Sequence, residues 1–353
     1  MDPTDDSAQL PAPRFGLAAK LFCVSVWTLS GTLLAFSAAC YLGRFDACTV
    51  VTLFPPWCWA AIGLLFAWLG VSRPRHLPSV LLTVGWLGFL VLSSDSPESF
   101  VRALLPGPER GANLRVVSLN CAGNSAAARS VAALDPDVVL IQESPTADAL
   151  TALAAEMYGS SANLVRGVDA SILARGNVTA VEVPPEFRAN FVHARIQQGG
   201  QTIHVISLRL FPCPIRLDLW SPDCWRYYAW NRETRRRQLA KIADYAQTLP
   251  ADEPLILGGD FNCPPRDAVL KLLEPRLTDA FAVAGRGWGA TIIEICGWPL
   301  IRIDQIWTSP QLHATTAFAR RAQDSDHHMV VADFALAERK SSPSERGSEE
   351  SSR

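Results

Sequence analysis

The chain predicts a layered α/β domain carried behind a set of membrane-spanning helices. Three observations predict it. Long uncharged apolar runs fill the first hundred residues. Short strand-like and helix-like patterns alternate from about residue 113 onward. Acids and amides then stand where the apolar strands run out into loops.

The apolar runs come first. Residues 21–43 (LFCVSVWTLSGTLLAFSAACYLG) and 47–71 (ACTVVTLFPPWCWAAIGLLFAWLGV) carry no charge. At about 1.5 Å per residue, each is long enough to cross a hydrocarbon core of about 30 Å. A third run at 77–94, LPSVLLTVGWLGFLVLSS, is shorter but within the spanning range. Pro55 and Pro56 would kink the second run, as helices in bilayers tolerate. A buried core helix would show a polar face, and these runs show none. A signal segment is shorter and is not followed by two more such runs. The expectation is a membrane region over 16–95 with three spans.

Cations set the expected orientation. Arg14 and Lys20 precede the first run, and Arg73, Arg75 and His76 lie between the second and third. Between the first and second there is only Arg44, beside Asp46. The positive-inside rule puts the N-terminus in the cytoplasm. Three crossings then make the remainder extracytoplasmic, whereas two would return it to the cytoplasm.

Residues 113–337 read as one soluble domain, after a linker at 96–112. Residues 1–15 and 338–353 are polar and read as disordered tails, the first cytoplasmic. The net charge of −2 supplies no global basic field, which disfavours a general nucleic-acid binder. No internal repeat is seen, and nothing calls for an obligate protein partner.

Within the domain, LRVVSLN (114–120) is a buried strand, AAARSVAAL (126–134) a short helix and DVVLIQE (137–143) a second strand. Ser144 and Pro145 suit the cap and first turn of a helix. DASILAR (169–175) is a strand, and FVHARIQ (191–197) and TIHVISLRL (202–210) form a hairpin over QGG. In RETRRRQLAKIADYAQTL (232–249), Leu239, Ile242, Ala246 and Leu249 share one helical face. PLILGGD (254–260), RIDQIWTS (302–309) and MVVADFAL (329–336) are the last strands.

The polar residues at these ends form a set. Asn120 ends the first strand and Glu143 the second. Asp260 and Asn262 follow LILGG, Asp304 stands in IRIDQIW, and Asp326 and His327 precede HMVVADF. Singly, each has an ordinary explanation, such as a turn cap, a surface histidine, or an Asp304–Arg302 ion pair. Together, at strand ends that can share one edge, they describe a cleft. Carboxylates and amides without a thiolate suit Mg²⁺ or Mn²⁺ rather than zinc.

The series LRVVSLN, DVVLIQE, LILGGDFN, RIDQIW and SDHH resembles the endonuclease/exonuclease/phosphatase superfamily over the whole soluble domain. SILAR and the Arg-Gln pattern of RRRQL agree. The resemblance implies a four-layer α/β/β/α sandwich with two mixed β-sheets. It implies Glu143 as the main metal ligand with Asn120 beside it, and Asp326 near the metal or the water. It also implies that Asp260 positions or deprotonates water and Asn262 holds phosphate. His327 would neutralise charge on the transition state, oriented by Asp304. Spans followed by this domain resemble, in layout, bacterial membrane-bound members associated with glycopeptide resistance.

One position departs from the family. Many members carry a histidine where the strand IHVISLRL here has Arg209. An arginine, with a pKa above about 12, cannot deliver a proton at neutral pH, but its fork can bind a departing phosphate. His204 lies an odd number of residues away and faces the other side of a regular strand. This favours pyrophosphate or monoester substrates. Trp220, Trp225, Tyr227, Tyr228 and Trp230, interleaved with arginines, suit a membrane interface or base stacking. Cys213 and Cys224 bracket that stretch, either as a disulfide or as free thiols.

The reading is a membrane-anchored, metal-dependent phosphoesterase acting on a phospholipid or lipid-linked (pyro)phosphate. The alternatives are a tethered nuclease cutting nucleic acid and a non-catalytic membrane binding protein.

Overall fold

A computed structural model of the chain describes residues 16–71, 76–107, 114–160, 163–187, 190–212, 216, 218 and 220–337. Both terminal tails and the flanking cations Arg14, Arg73 and Arg75 lie outside the described residues. The chain divides into two compact units, one holding 1–43 and 56–93, the other 44–55 and 94–353.

The first unit contains α1 (Leu17–Gly43), α3 (Pro56–Leu69) and α4 (Leu77–Ser93). By itself, only α1 among the described helices is long and apolar enough to cross a membrane. The three helices pack through small and polar groups. Trp27 Nε1 donates to Ala67 O at 3.2 Å and Ser79 Oγ at 3.0 Å. Ser30 Oγ donates to Gly63 O at 2.7 Å and accepts from Trp86 Nε1 at 3.1 Å. Gly63 is required there, because a Cβ would stand 2.0 Å from the Trp86 ring.

The second apolar run is not one helix. It is helical as α2 (Thr49–Thr52), then breaks before Pro56 and resumes as α3. Two successive prolines supply no amide hydrogens to continue the ladder. Residues 44–55 instead belong to the second unit. Arg44 pairs with Glu274, and Asp46 pairs with Arg232 at 2.9 Å and Arg236 at 3.4 Å. Leu53 packs against Cys224 and Tyr228. The linker also differs from expectation, because its first half is helix α5 (Ser96–Leu104). It is tied down where Ser99 Oγ donates to Gly287 O at 2.7 Å and Arg102 Nε to Gly285 O at 2.9 Å.

Two six-stranded mixed sheets make the domain. The first contains β1 (Leu114–Asn120), β2 (Val138–Gln142), β3 (Leu164–Arg166), β4 (Ala170–Ala174), β13 (Leu312–Arg321) and β14 (His328–Leu336), in the order β13-β14-β1-β2-β4-β3. The second contains β5 (Val178–Ala180), β6 (Phe191–Gln198), β7 (Gln201–Arg209), β8 (Leu255–Asp260), β9 (Thr278–Asp279) and β12 (Asp304–Thr308), in the order β5-β6-β7-β8-β12-β9. A short hairpin, β10 (Ile292–Ile295) with β11 (Trp298–Ile301), stands apart from both sheets.

Three apolar clusters show the layering. The central one interleaves Val116, Leu140 and Ile172 of the first sheet with Ala194, Val205 and Ile256 of the second. On the outside of the first sheet, Val117, Val139 and Val331 meet α6 (Ser125–Ser130) and α7 (Ala147–Tyr158) through Ala127, Leu150 and Leu153. On the outside of the second, Ile206 and Leu257 meet α8 (Pro222–Thr248) through Leu239, Ile242 and Ala246. The result is the four-layer α/β/β/α sandwich.

Two local readings shift. The helix after β2 is capped by Thr146, whose hydroxyl accepts from Ala149 N, while Ser144 instead bonds Ser171 at 2.8 Å. Helix α8 starts at Pro222, ten residues before the expected start, and so takes in most of the aromatic stretch. The β6–β7 hairpin turns on Gly199 and Gly200 at φ 58° and 75°, the left-handed geometry of a tight hairpin turn.

Candidate active site

Strand register brings the site together. Arg209 of β7 is level with Asp260 of β8, and Asp260 is level with Asp304 of β12. Three charged residues thus stand in one row across three adjacent strands. In the other sheet Asn120, ending β1, is level with Gln142, and Glu143 follows directly. Asn120 spans the gap between the sheets, donating from Nδ2 to Glu143 Oε1 at 2.9 Å and Asp260 Oδ2 at 3.0 Å.

Asp260 is buried and crowded with donors. Its Oδ1 accepts from the Asn262 backbone N–H at 2.9 Å, and its Oδ2 from Asn262 Nδ2 at 3.0 Å. Asn262 Nδ2 also reaches Leu210 O at 2.9 Å, and buried Arg235 donates to Asn262 O from behind. Glu143 and Asn262 have φ of 44° and 50°, a region costly for non-glycine residues. Both therefore depend on the surrounding bonds to hold their place.

Asp304 is fully buried, and its Oδ2 lies 2.9 Å from His327 Nδ1. The Ser325 hydroxyl accepts from His327 N at 3.0 Å and donates to Asn120 O at 2.8 Å, tying the histidine loop to the end of β1. Ligand atoms of Asp260, Asp304 and His327 all lie within 4.8 Å of one another. Arg302 does not pair with Asp304; it bonds Asp95 at 2.6 Å and Asp279 at 2.7 Å.

This proximity shifts protonation. Burial, followed by the charge of Asp304, pushes the Asp260 carboxyl up to about 7. Burial opposes protonation of His327, but the charge and hydrogen bond of Asp304, with the charges of Asp260 and Asp326, carry it up to about 9. Between these values Asp260 is ionised and His327 carries a proton and a positive charge, so an acceptor and a cation stand side by side.

The structure thus joins Asn120, Glu143, Arg209, Asp260, Asn262, Asp304 and His327. Asp326 is exposed beside His327 and bears on the site through its charge. His204 stands apart, bonded to His193 at 2.9 Å and Glu253 at 2.6 Å. Asp169 was not foreseen: it lies 2.9 Å from Arg209. It stands directly before β4, where the acid-at-a-strand-end rule would have found it. Cys224 is a buried free thiol, and Cys213 lies outside the described residues.

The donors fit a hard dication. Asp304 Oδ1 is buried and has no hydrogen-bond partner. The side chains gathered at the strand ends, Glu143, Asn120 and Asp326 among them, offer carboxylate and amide oxygens. Burial raises the nearby Cys121 thiol to about 12, which keeps it neutral. Oxygen donors without thiolate match Mg²⁺ or Mn²⁺.

A sequence model described as the endonuclease/exonuclease/phosphatase family matches residues 117–327. No curated protein sequence matches the chain. Among solved structures, an endonuclease/exonuclease/phosphatase from Beutenbergia cavernae is 20% identical, with a TM-score of 0.49 over 64% of this chain and 72% of that one. A D. rerio TDP2 complexed with single strand DNA product is 18% identical, with a TM-score of 0.47 over 64% of this chain and 100% of that one. A functionally unknown conserved protein from Enterococcus faecalis is 17% identical, with a TM-score of 0.47 over 63% of this chain and 100% of that one.

Proposed function

Because the chain belongs to the endonuclease/exonuclease/phosphatase family, and so to the hydrolases of phosphoester bonds, we propose that it cleaves a phospholipid or lipid-linked (pyro)phosphate at a membrane surface. The observation that carries the chemistry is the buried Asp260–Asp304–His327 group, with an acid below about 9 beside a base above about 7.

Asp260 accepts the proton of the attacking water. The new bond forms between water oxygen and phosphorus, and the bridging P–O bond breaks toward the leaving group. Protonated His327, oriented by Asp304, neutralises the oxygens that gain charge. Asn262 and Arg209 hold the phosphate. Glu143 and Asn120, with Asp326 at the rim, would hold Mg²⁺ or Mn²⁺. When bound, the ion offsets charge on the phosphate oxygens.

The membrane setting rests on α1 and on chain parity. Residues 44–55 pack within the catalytic unit, so they lie on its side of any bilayer. The stretch 56–93 between them must then cross either twice or not at all. If α1 crosses, the N-terminus and the catalytic unit lie on opposite sides in either case. Arg14 and Lys20 favour a cytoplasmic N-terminus, which makes the catalytic unit extracytoplasmic. Three spans, with α3 and α4 as a helical pair, satisfy the same parity.

The test uses the full chain in non-ionic detergent with Mg²⁺. Phosphate release from a lipid pyrophosphate and nicking of supercoiled plasmid are measured beside Asp260→Ala. Asp260-dependent phosphate release with intact plasmid is expected. Asp260-dependent nicking without phosphate release would replace the lipid by nucleic acid.

A further inference from the structure

Arg209 is held from three sides. Its Nη1 lies 2.9 Å from Asp169 Oδ2 and its Nη2 lies 2.7 Å from Glu143 Oε1. Its Nε stands 3.8 Å from Asp260 Oδ2 and has no hydrogen-bond partner. The two near acids leave the same end of the first sheet. Glu143 follows β2, Asp169 precedes β4, and Gln142 is level with Ala170. The arginine comes from the second sheet, so its fork bridges the cleft between the sheets. Pairing with Glu143 alone would leave the guanidinium free to swing about one bond. Asp169 supplies the second point and fixes its plane.

Resting on the phosphoesterase reading above, we infer that Asp169 is a positioning residue that locks Arg209 as a fixed cation for the leaving group. The site thereby selects esters whose leaving group departs as an anion that needs no proton. In such a step water oxygen bonds to phosphorus, the bridging P–O bond breaks, and its electron pair leaves on the departing phosphate. Asp260 takes the water's proton. The departing oxygens receive N–H donors from Arg209 and no proton, because a guanidinium with a pKa above about 12 keeps its own. An alkoxide, far more basic than a phosphate, needs a proton to leave; Arg209 supplies none, so such esters are disfavoured. Fork geometry makes Arg209 suited to phosphate oxygens, and holding the fork in place beforehand removes the entropy of ordering it during reaction.

The experiment is a double-mutant cycle in the full chain. Asp169→Asn, Arg209→Ala and the pair are compared on a lipid pyrophosphate and on aryl phosphates of graded leaving-group acidity. Asp169 is partly exposed, with 29% of its side chain accessible, so the isosteric change leaves the core untouched. Each single change should slow pyrophosphate hydrolysis, by about 10²-fold for loss of an oriented donor to the transition state. Each should also steepen the dependence of rate on leaving-group acidity, and the double variant should be no slower than Arg209→Ala. Asp169→Glu should recover part of the loss. Additive losses with an unchanged slope would overturn the inference and leave the phosphoesterase reading standing. A wild-type chain inert on every probe, matching Asp260→Ala, would sink both.

Discussion

Asp304→Asn tests how this site sets its protonation. Asp304 Oδ2 lies 2.9 Å from His327 Nδ1, and both side chains are buried. That contact, with Asp260 and Asp326, takes the histidine from 6.5 to about 9. With each pKa unit worth about 1.4 kcal/mol, the rise amounts to about 3 kcal/mol. The folded pKa is raised, so the protonated form and the stability it brings are complete below about 6.5 and are lost as pH rises through about 9. At pH 8 a histidine with pKa about 9 is about 90% protonated, and one about two units lower is about 10% protonated. The rate at pH 8 should therefore fall about tenfold, with the basic limb of the pH–rate profile moving down by about two units. The acid limb should move the same way, because the charge of Asp304 also raises Asp260. The assay is the pH dependence of phosphate release by the full chain in detergent. A basic limb that stays near pH 9 in Asp304→Asn would refute the coupling.

Other predictions follow from single contacts. Gly259 has φ 142°, and a Cβ there would stand 1.9 Å from Leu208 O, so Gly259→Ala should cost more than about 3 kcal/mol in chemical denaturation. Arg302, buried against Asp279 at 2.7 Å and Asp95 at 2.6 Å, should cost about 3–5 kcal/mol when changed to alanine, read as a lower melting temperature. Chelation should abolish hydrolysis, and added Mg²⁺ or Mn²⁺ should restore it; Glu143→Gln should need at least about tenfold more metal. Among the described residues Cys296, on the β10–β11 hairpin, is the one exposed free thiol, so a membrane-impermeant thiol reagent should label it in intact cells, and Cys296→Ser should remove that label. Protection in intact cells with labelling after lysis would place the domain inside.

The site was legible because its residues break a pattern. An acid or amide at the tip of an apolar strand, as at Asn120, Glu143 and Asp260, has no packing role to explain it. Register was not legible. That Arg209, Asp260 and Asp304 lie in one row follows from strand pairing between segments far apart in sequence. Strand β13, with residues such as Thr315, Thr316 and Arg320, lacks an apolar run and gave no signal. The docking of residues 44–55 was hidden for another reason. Its apolar residues, Leu53 among them, read as membrane span, whereas the ion pairs of Arg44 and Asp46 come from partners almost two hundred or more residues away. Helix α5 was missed because its Pro97 and flanking serines resemble linker, although Pro is at home in a first helical turn.

The most direct test of the account is the initial rate of phosphate release from a lipid pyrophosphate by the full chain with Mg²⁺, wild type against Asp260→Ala. Steady release by the wild type is expected, and none above background from the variant, in which water has lost its base. Equal rates from the two proteins would contradict it.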